Sequence, residues 1–185
     1  MEYCPDCMRH PRSFDGGAAL FHYNEAARRS MAAIKYKNRR EHLDFYSQAL
    51  VSRYGKWLFH TQPDALVPVP VHPARRRKRG FNQAEELAER ISLLTGISVR
   101  ADLLIRIRKT LPQKELNPAE RLNNLRLAFA VSDFYKIHPD QLPERVVLAD
   151  DIYTTGSTVE ACSQTLLQAG FDKVYFLCVC IGKGV

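Results

Sequence analysis

The sequence has no long apolar run. Its longest, Val174–Ile181, contains eight residues. That is far fewer than the roughly 18 that a membrane-spanning helix needs, and it is typical of a buried strand. The segment Met1–His10 is polar, so the apolar core of a secretory signal is also missing. We therefore expect a cytoplasmic protein that does not insert into a membrane.

Cysteine is scarce, and neither an internal repeat nor a low-complexity segment occurs. The 185 residues include five cysteines, an odd number that fits reduced thiols better than a disulfide framework. A chain of this length buries about two-thirds of its unfolded surface without cross-links, which excludes a disulfide-dependent mini-protein. Hydrophobic residues make up 45% and charged residues 25%. These values are typical of a soluble globular protein of about one domain.

Positive charge is in excess and unevenly distributed. The chain carries 27 basic and 20 acidic residues, a net charge of +7. Residues 1–60 hold 10 basic and 6 acidic groups, residues 61–125 hold 12 and 7, and residues 126–185 hold 5 and 7. A basic surface over the first two-thirds of the chain indicates a phosphate-bearing partner, whether nucleotide, nucleic acid or pyrophosphate.

Apolar stretches alternate with helical patterns from about residue 65 onward. The strand patterns are Ala18–Tyr23, Ala65–Val69, Val99–Ile107, Ala128–Val131, Arg145–Ala149 and Lys173–Ile181. The helical patterns are Glu25–Lys37, His42–Phe59, Asn82–Leu94, a short start near Asn117 and Ser157–Ala169, with a polar connection over Ser132–Glu144. This order predicts an α/β fold with a parallel sheet covered by helices. Ligands of such sheets bind beyond the carboxyl ends of the strands.

The most informative segment is a strand, a loop and a helix start. It reads Val146-Val147-Leu148-Ala149-Asp150-Asp151-Ile152-Tyr153-Thr154-Thr155-Gly156-Ser157-Thr158. Backbone N–H groups and hydroxyls over 155–158 would surround one point, where the helix dipole adds positive character. Gly156 lets the backbone approach a ligand closely, and Ser157 is expected to cap the helix with Glu160 as its capping-box partner. The segment therefore predicts a phosphate site.

Two acids precede this loop. Asp150 and Asp151 are expected to be anionic and so to avoid the phosphate. They suit sugar hydroxyls, as acceptors, or a hydrated Mg²⁺. A ligand with a phosphate at one end and a diol at the other is a ribose 5-phosphate. The alternative is a common strand–turn–helix unit with a serine cap and two solvated acids.

This run resembles the phosphoribosyl-pyrophosphate (PRPP) signature of type I phosphoribosyltransferases. The resemblance implies that Asp150 and Asp151 bind the ribose 2′ and 3′ hydroxyls, with Mg²⁺ near them. It implies that the 5-phosphate is held by Thr154, Thr155, Gly156, Ser157 and Thr158. In purine-salvage members an Asp that acts toward the base stands where this chain has Thr154. The missing candidate base counts against purine salvage.

Five consecutive basic residues, Arg75-Arg76-Arg77-Lys78-Arg79, follow a strand end and precede a helix start. We expect them to form a loop on the same sheet edge as the phosphate site. Arginine binds pyrophosphate well through bidentate hydrogen bonds, so Arg75 and Arg79 are candidate pyrophosphate residues, with Arg79 preferred because it adjoins Gly80 and the helix cap. The alternatives are a solvated basic face or a nucleic-acid patch.

A second basic stretch runs from Arg106 to Asn117 and is interrupted by Pro112. We expect a mobile loop that could close over an oxocarbenium-like transition state and exclude water. Its candidate lid or pyrophosphate residues are Lys109, Gln113 and Arg121. The alternative is an ordinary surface loop.

Together these motifs are similar to one family. V-P-V-P, then R-R-x-x-R-G-F-N-Q-A, T-x-P-Q-x-x-L and E-R-x-x-N, followed by the phosphate loop, resemble the ComF family of competence-associated proteins over nearly the whole chain. The resemblance implies a phosphoribosyltransferase-like domain and a link to natural DNA uptake. It does not assign an acceptor or a defined reaction.

The first residues contain Cys4-Pro5-Asp6-Cys7, half of a four-cysteine zinc site. Two thiolates leave a tetrahedral site two ligands short, with His10 as a candidate third. We favour two reduced thiols over a bound Zn²⁺ here. The expected division is a zinc-knuckle remnant over residues 1–15, a hood or helical part over residues 16–62 and a PRPP-binding core over residues 63–185.

Two functions follow from the sequence. The leading hypothesis is a phosphoribosyltransferase-like protein that binds PRPP or another ribose 5-phosphate compound with Mg²⁺, its acceptor being unknown. Charge neutralisation and positioning would then carry the rate of any phosphoribosyl transfer. The alternative is a non-catalytic protein of the DNA-uptake machinery that uses its basic surface to bind single-stranded DNA or a protein partner.

Overall fold

A computed structural model describes residues 12–107 and 127–182 of the protein. The strands are β1 (Gly16–His22), β2 (Ala65–Pro68), β3 (Ser98–Val99), β4 (Leu104–Arg106), β5 (Phe129–Val131), β6 (Arg145–Tyr153) and β7 (Lys173–Ile181). The α-helices are α1 (Glu25–Lys37), α2 (His42–Thr61), α3 (Pro73–Arg79), α4 (Gln83–Thr95), α5 (Asp133–Ile137) and α6 (Ser157–Gln168), and a 3₁₀ turn spans Pro139–Gln141.

Five strands form one parallel sheet in the order β1-β7-β6-β2-β3. Strands β6 and β7 have nine residues each and pair along their whole length, from Arg145 opposite Lys173 to Tyr153 opposite Ile181. The short strands β4 and β5 pair antiparallel outside this sheet. The predicted α/β class with a parallel, helix-covered sheet is confirmed.

Helices cover both faces of the sheet, which explains why its central strands are almost continuously apolar. On one face, α6 packs Val159 and Leu166 against β6 and β7. On the other face, three helices contribute buried side chains to a second core layer. These are Met31 and Ile34 of α1, Leu43 and Leu50 of α2, and Leu87 and Ile91 of α4. The sheet thus separates two apolar layers.

The basic run at residues 75–79 was expected to be a loop, and that prediction is wrong. It is the helix α3, whose local signals were present in the sequence. Pro73 occupies the first turn, where its missing N–H costs nothing, and the His72 imidazole accepts the N–H of Ala74 at 3.2 Å. Gly80 ends the helix at φ +85°. Basic side chains near a helix carboxyl terminus are favoured by its dipole.

Several strand bounds also differ from the prediction. The strand β6 continues to Tyr153 rather than ending at Ala149, so both acids lie inside it. The stretch Val99–Ile107 divides into β3 and β4, and the polar connection contains α5. The helix α4 begins and ends as predicted, with the Asn82 side chain accepting the N–H of Ala84 and Gly96 as its carboxyl cap.

Other expectations remain predictions. The cysteines Cys4 and Cys7 and the helix start near Asn117 lie outside the described residues. The division at residues 62–63 falls between α2 and β2, while β1 joins the same sheet as β7. Within residues 12–107 and 127–182, every helix is too short or too polar to span a lipid bilayer.

Gly17 and Gly55 provide a matched test of the packing. A Cβ on Gly17 of β1 would lie 2.2 Å from the Phe176 ring, whereas a Cβ on Gly55 of α2 would meet nothing closer than 3.7 Å. We expect Gly17→Ala to lower the free energy of unfolding by about 1–3 kcal/mol through overpacking. Gly55→Ala should raise it by about 1 kcal/mol, because glycine is a poor helix former. Urea unfolding of both variants measures this, and equal effects would contradict the packing.

Candidate functional site

The sheet order places a crevice at the ends of two neighbouring strands. From β2 the chain continues through α3 and α4 to β3, on one side of the sheet. From β6 it continues through α6 to β7, on the other side, and α4 and α6 cover opposite faces. Connections that diverge from adjacent parallel strands leave a crevice at their carboxyl ends. A cleft of about 830 Å³ opens there.

Most of the charged residues that line this cleft are basic. Two acids of β6, Asp150 and Asp151, are among its lining residues. Six basic side chains line the same cleft: Lys35, Arg40, Arg75, Lys78, Arg79 and Arg106. Since the cations outnumber the acids, the cleft suits a ligand with several negative charges. The predicted residues Asp150, Asp151, Arg75 and Arg79 therefore do lie around one cavity.

The Asp151 carboxylate is buried and held on both oxygens. Its residue is 4% exposed, its Oδ1 accepts a hydrogen bond from Gln83 Nε2 at 3.0 Å, and its Oδ2 forms an ion pair with Lys35 Nζ. Burial raises the pKa of this carboxyl, but the Lys35 charge and the Gln83 hydrogen bond outweigh burial and lower the pKa overall. Asp151 is therefore held as the carboxylate.

The carboxyl of the neighbouring residue, Asp150, has its pKa shifted in the opposite direction. Its Oδ1 accepts the backbone N–H of Asp151 at 2.8 Å. Burial, and then the negative charge of Asp151, raise the pKa of the Asp150 carboxyl well above its ordinary value. Burial and the charge of Asp150 also raise the pKa of the neighbouring Cys162 and Cys178 thiols. The pair thus divides into one carboxylate held ionised and one carboxyl biased toward its neutral form.

Gln83 connects the acids to the basic helix. It is the first residue of α4, and its amide donates to Asp151 while its Oε1 accepts a hydrogen bond from Arg79 Nη1. The Arg79 guanidinium also lies over the Tyr36 ring, 6.0 Å from its centroid. A side chain in the R-G-F-N-Q motif therefore orients a candidate anion-binding arginine.

Four of the lining residues that interact with the acids or with the charge of the cleft had no role assigned from the sequence: Gln83, Lys35, Arg40 and Arg106. Gln83 stood in a motif, which was the available signal, whereas Lys35, Arg40 and Arg106 looked like ordinary basic residues. Arg40 donates to Glu86 at 2.8 Å and lies 4.3 Å over the Phe81 ring. Burial, and then the charge of Arg75, lower the pKa of the Arg106 guanidinium.

The threonine-rich loop reaches the cleft only in part. Thr158 lines the cleft, whereas Thr154, Thr155, Gly156 and Ser157 do not. Thr155 Oγ1 and Ser157 Oγ are 2.9 Å apart, and Gly156 adopts φ +73° as the residue before α6. The predicted lid residues Lys109, Gln113 and Arg121 lie outside the described residues.

The predicted capping box at the start of α6 is wrong. Gly156, not Ser157, precedes the helix, and no side-chain hydrogen bond caps it. Instead, the Glu160 carboxylate accepts the N–H of Ser13 at 2.9 Å and its hydroxyl at 2.6 Å. Arg12 Nη2 donates to the Thr155 carbonyl at 3.3 Å. Residues ahead of β1 therefore hold the loop, and this long-range contact outcompetes the local one.

The acids, as arranged, do not fit a Mg²⁺ ion held by the protein. Mg²⁺ prefers about six oxygens, usually one or two carboxylates together with phosphates and water. Both oxygens of Asp151 are engaged by Lys35 and Gln83, and Asp150 Oδ1 accepts a backbone N–H. Across the described part of the chain, no three His, Cys, Asp or Glu side chains are grouped as metal ligands.

Comparison with known proteins places these features in context. The chain is 27% identical to competence protein F of Haemophilus influenzae over 182 residues, covering 94% of this chain and 76% of that protein. It is 29% identical to competence protein ComFC of Streptococcus pneumoniae over 191 residues, covering 94% and 78%. This chain is thus similar in sequence to proteins named competence protein F and competence protein ComFC. The resemblance seen in its motifs is confirmed.

A second set of relatives carries a different name. DNA utilization protein YhgH of Salmonella typhi is 34% identical over 121 residues, which cover 64% of this chain and 49% of that protein. The match thus spans about half the length of the Salmonella protein. No family model matches the chain. A solved purine phosphoribosyltransferase from Pyrococcus horikoshii is similar with a TM-score of 0.40 and 14% identity, covering 76% of this chain and 84% of that one.

Gly156 and Gly80 test the loop geometry. Both adopt positive φ, but a Cβ on Gly156 would lie 2.2 Å from the Tyr153 hydroxyl, whereas one on Gly80 would meet nothing within 4 Å. We expect Gly80→Ala to cost about 1–2 kcal/mol for the left-handed backbone alone. Gly156→Ala should cost about 1–3 kcal/mol more through overlap. Thermal or urea unfolding compares them, and equal losses would contradict the Tyr153 contact.

Asp150 and Asp151 should show opposite pH dependences. A raised pKa in the folded state stabilises the fold below the ordinary aspartate pKa of about 4, and this stabilisation is lost as pH rises through the raised value. Asp150→Asn should therefore gain stability relative to the wild type as pH rises above about 4. The lowered pKa of Asp151 stabilises the folded state at pH values above about 4, and this stabilisation is lost as the pH falls. Asp151→Asn should cost about 3–5 kcal/mol at neutral pH, because it leaves Lys35 unpaired, and less in acid.

Urea unfolding of both variants between pH 3.5 and 8 measures this difference. Asp172→Asn, an exposed acid just ahead of β7 at the other end of the sheet, is the control and should follow the wild type at every pH. Parallel profiles for Asp150→Asn and Asp151→Asn would contradict the assignment of the two protonation states.

Proposed function

We propose that this protein binds PRPP or a closely related ribose 5-phosphate compound in the cleft between β2 and β6. The observation that carries the proposal is that Asp150 and Asp151 line one cleft together with six basic residues, where the adjacent parallel strands β2 and β6 end. A sugar that carries several phosphates presents both the hydroxyls and the negative charges that this lining complements.

Each part of the lining has a corresponding task in this proposal. Arg75, Lys78 and Arg79 neutralise a pyrophosphate group, and Gln83 fixes the direction of the Arg79 guanidinium. Asp150, biased toward its neutral form, can donate or accept a hydrogen bond at a sugar hydroxyl. Thr158 and the amino terminus of α6 meet the 5-phosphate at the margin of the cleft.

Binding of this kind is compatible with phosphoribosyl transfer. In such a transfer the bond from C1 to pyrophosphate breaks, an acceptor atom bonds to C1, and the leaving group departs with its negative charges. The cations of the cleft would stabilise that departure.

The expected Mg²⁺ also stays a prediction. Because Asp151 is already engaged on both oxygens, a magnesium ion would have to be carried by the phosphate oxygens of the ligand. The names of the relatives support a biological setting, because proteins called competence protein F and DNA utilization protein are similar to this chain in sequence. We propose that it acts in DNA uptake or use, in the cytoplasm.

Calorimetric titration with PRPP tests the proposal. The wild type should bind PRPP, and Asp150→Asn/Asp151→Asn and Arg79→Ala should each weaken binding at least tenfold, or about 1.4 kcal/mol. Asp172→Asn, remote from the cleft, should bind like the wild type. Unchanged affinity in both cleft variants, with folding confirmed by circular dichroism, would overturn the assignment of the site.

A second candidate function rests on α3. Four of its basic residues, Arg75, Arg76, Arg77 and Lys78, are exposed, and such a row is typical of phosphate-backbone contacts in nucleic-acid binding. We propose it as an alternative, non-catalytic role in binding single-stranded DNA or another acidic partner of the uptake machinery.

Salt dependence separates this alternative from the first proposal. If α3 contacts the DNA backbone, affinity for single-stranded oligonucleotides should fall steeply with salt, and Arg77→Ala and Lys78→Ala should each reduce the log–log slope by about 1. Lys56→Ala is the control, because Lys56 is exposed near the end of α2 that adjoins the opposite edge of the sheet. An unchanged slope in both α3 variants would exclude α3 as the contact.

A further inference from the structure

Several basic residues line the cleft. Among those in the described part of the chain, Lys35 alone forms an ion pair with Asp151. Its side chain is 19% exposed and that of Asp151 is 6% exposed, so the ion pair is largely withdrawn from water. Together with Gln83 it occupies both oxygens of the carboxylate. A metal ion at Asp151 would have to compete with these two partners for the carboxylate oxygens.

The position of Lys35 follows from the end of α1. Lys35 lies in the last turn of that helix, which ends at Asn38 in the left-handed conformation. A helix carboxyl terminus carries partial negative charge and stabilises an ammonium group placed there. Buried Met31 and Ile34 hold the same turn against the sheet. Lys35 therefore reaches the cleft from a rigid, packed helix.

A buried carboxylate close to an anionic ligand needs a nearby positive charge, which reduces the repulsion between the two anions. Without one, Asp151 would repel any phosphate group in the cleft, in a region of low effective dielectric. A divalent cation can supply that charge, and so can an ammonium group. Here the Lys35 ammonium, paired with Asp151, already does so, and five further basic residues line the same cleft: Arg40, Arg75, Lys78, Arg79 and Arg106.

We propose that Lys35 is the resident cation of this site and takes, at Asp151, the place that a divalent metal ion would otherwise fill. The cleft then binds its anionic ligand without a metal ion bridged to Asp151. This inference rests on the proposed function for the identity of the ligand, but the competition between Lys35 and a metal ion can be measured without any ligand.

The first measurement is therefore made on the free protein. Mn²⁺ is titrated into the protein, and the free ion is followed by electron paramagnetic resonance. The wild type should show no 1:1 Mn²⁺ site with a dissociation constant below about 1 mM, which corresponds to a binding free energy of about 4 kcal/mol. Lys35→Met keeps the length of the side chain and removes its charge. It should acquire one Mn²⁺ site at least tenfold tighter than any in the wild type.

Matched variants separate this effect from misfolding. Lys37→Met removes an exposed lysine two residues further along α1 and should change nothing. Lys35→Met/Asp151→Asn leaves no unpaired buried charge and should fold like the wild type but lose the gained Mn²⁺ site. If Lys35→Met alone does not fold, Lys35→Gln provides the same neutralisation with a hydrogen-bond donor for Asp151. A Mn²⁺ site in the wild type as tight as in the neutralised variant would overturn the proposal.

The second measurement uses PRPP. The affinity of the wild type for PRPP should differ less than threefold between excess EDTA and about 5 mM Mg²⁺. In EDTA, Lys35→Met should bind PRPP at least tenfold more weakly than the wild type, and Mg²⁺ should restore part of that affinity. Equal losses of affinity in EDTA for the wild type and Lys35→Met would also overturn the proposal, because Lys35 would then not supply the charge of a metal ion. Absence of PRPP binding under both conditions, with the expected Mn²⁺ result, would instead reject the proposed function and leave the role of Lys35 standing.

Discussion

Two carboxyl groups enter the interior of the protein at the end of β6, and the surrounding structure accommodates their charge. Asp151 requires Lys35 from α1 and Gln83 from α4, so the positions of both helices are tied to one buried residue. Within the described residues Asp150 forms no ion pair, and burial together with the charge of Asp151 biases it toward its neutral form. An unpaired buried charge costs several kcal/mol, roughly the whole stability of many domains, so these contacts constrain the fold and the cleft at once.

The sheet could be predicted because its signals are local and strong. The strand β7 and the helix α1 have the predicted bounds, since a continuous apolar run and a capped amphipathic pattern each favour one conformation. The helix α3 was missed because its like charges obscured two good end signals, Pro73 and Gly80. The start of α6 was misassigned because Glu160 bonds to Ser13, far away in sequence, and local patterns carry no information about such a partner.

The cleft could be predicted in outline for a related reason. Acids at the end of a strand and a basic run after a neighbouring strand must approach one another once the sheet is parallel, so Asp150 and Arg79 were identified from the sequence. Lys35 was not identified, because a lysine in the last turn of an amphipathic helix looks the same as its exposed neighbour Lys37. The packing of α1 on the sheet distinguishes the two. The opposite protonation tendencies of the adjacent acids likewise arise from tertiary contacts alone.

The order of the strands has a consequence for how the chain acquires its structure. Among the described strands, β1 pairs with β7 alone, and every other described strand lies between these two in the sequence, so that Gly16 pairs with Tyr175. During synthesis the segment of β1 is made before the other described strands and that of β7 after them, so the backbone groups of β1 that face β7 are hydrogen-bonded to water until β7 is made. Such long-range pairing slows folding and leaves an open strand edge exposed to other chains. For a nascent chain, closing the sheet is thus a late event that depends on synthesis of β7.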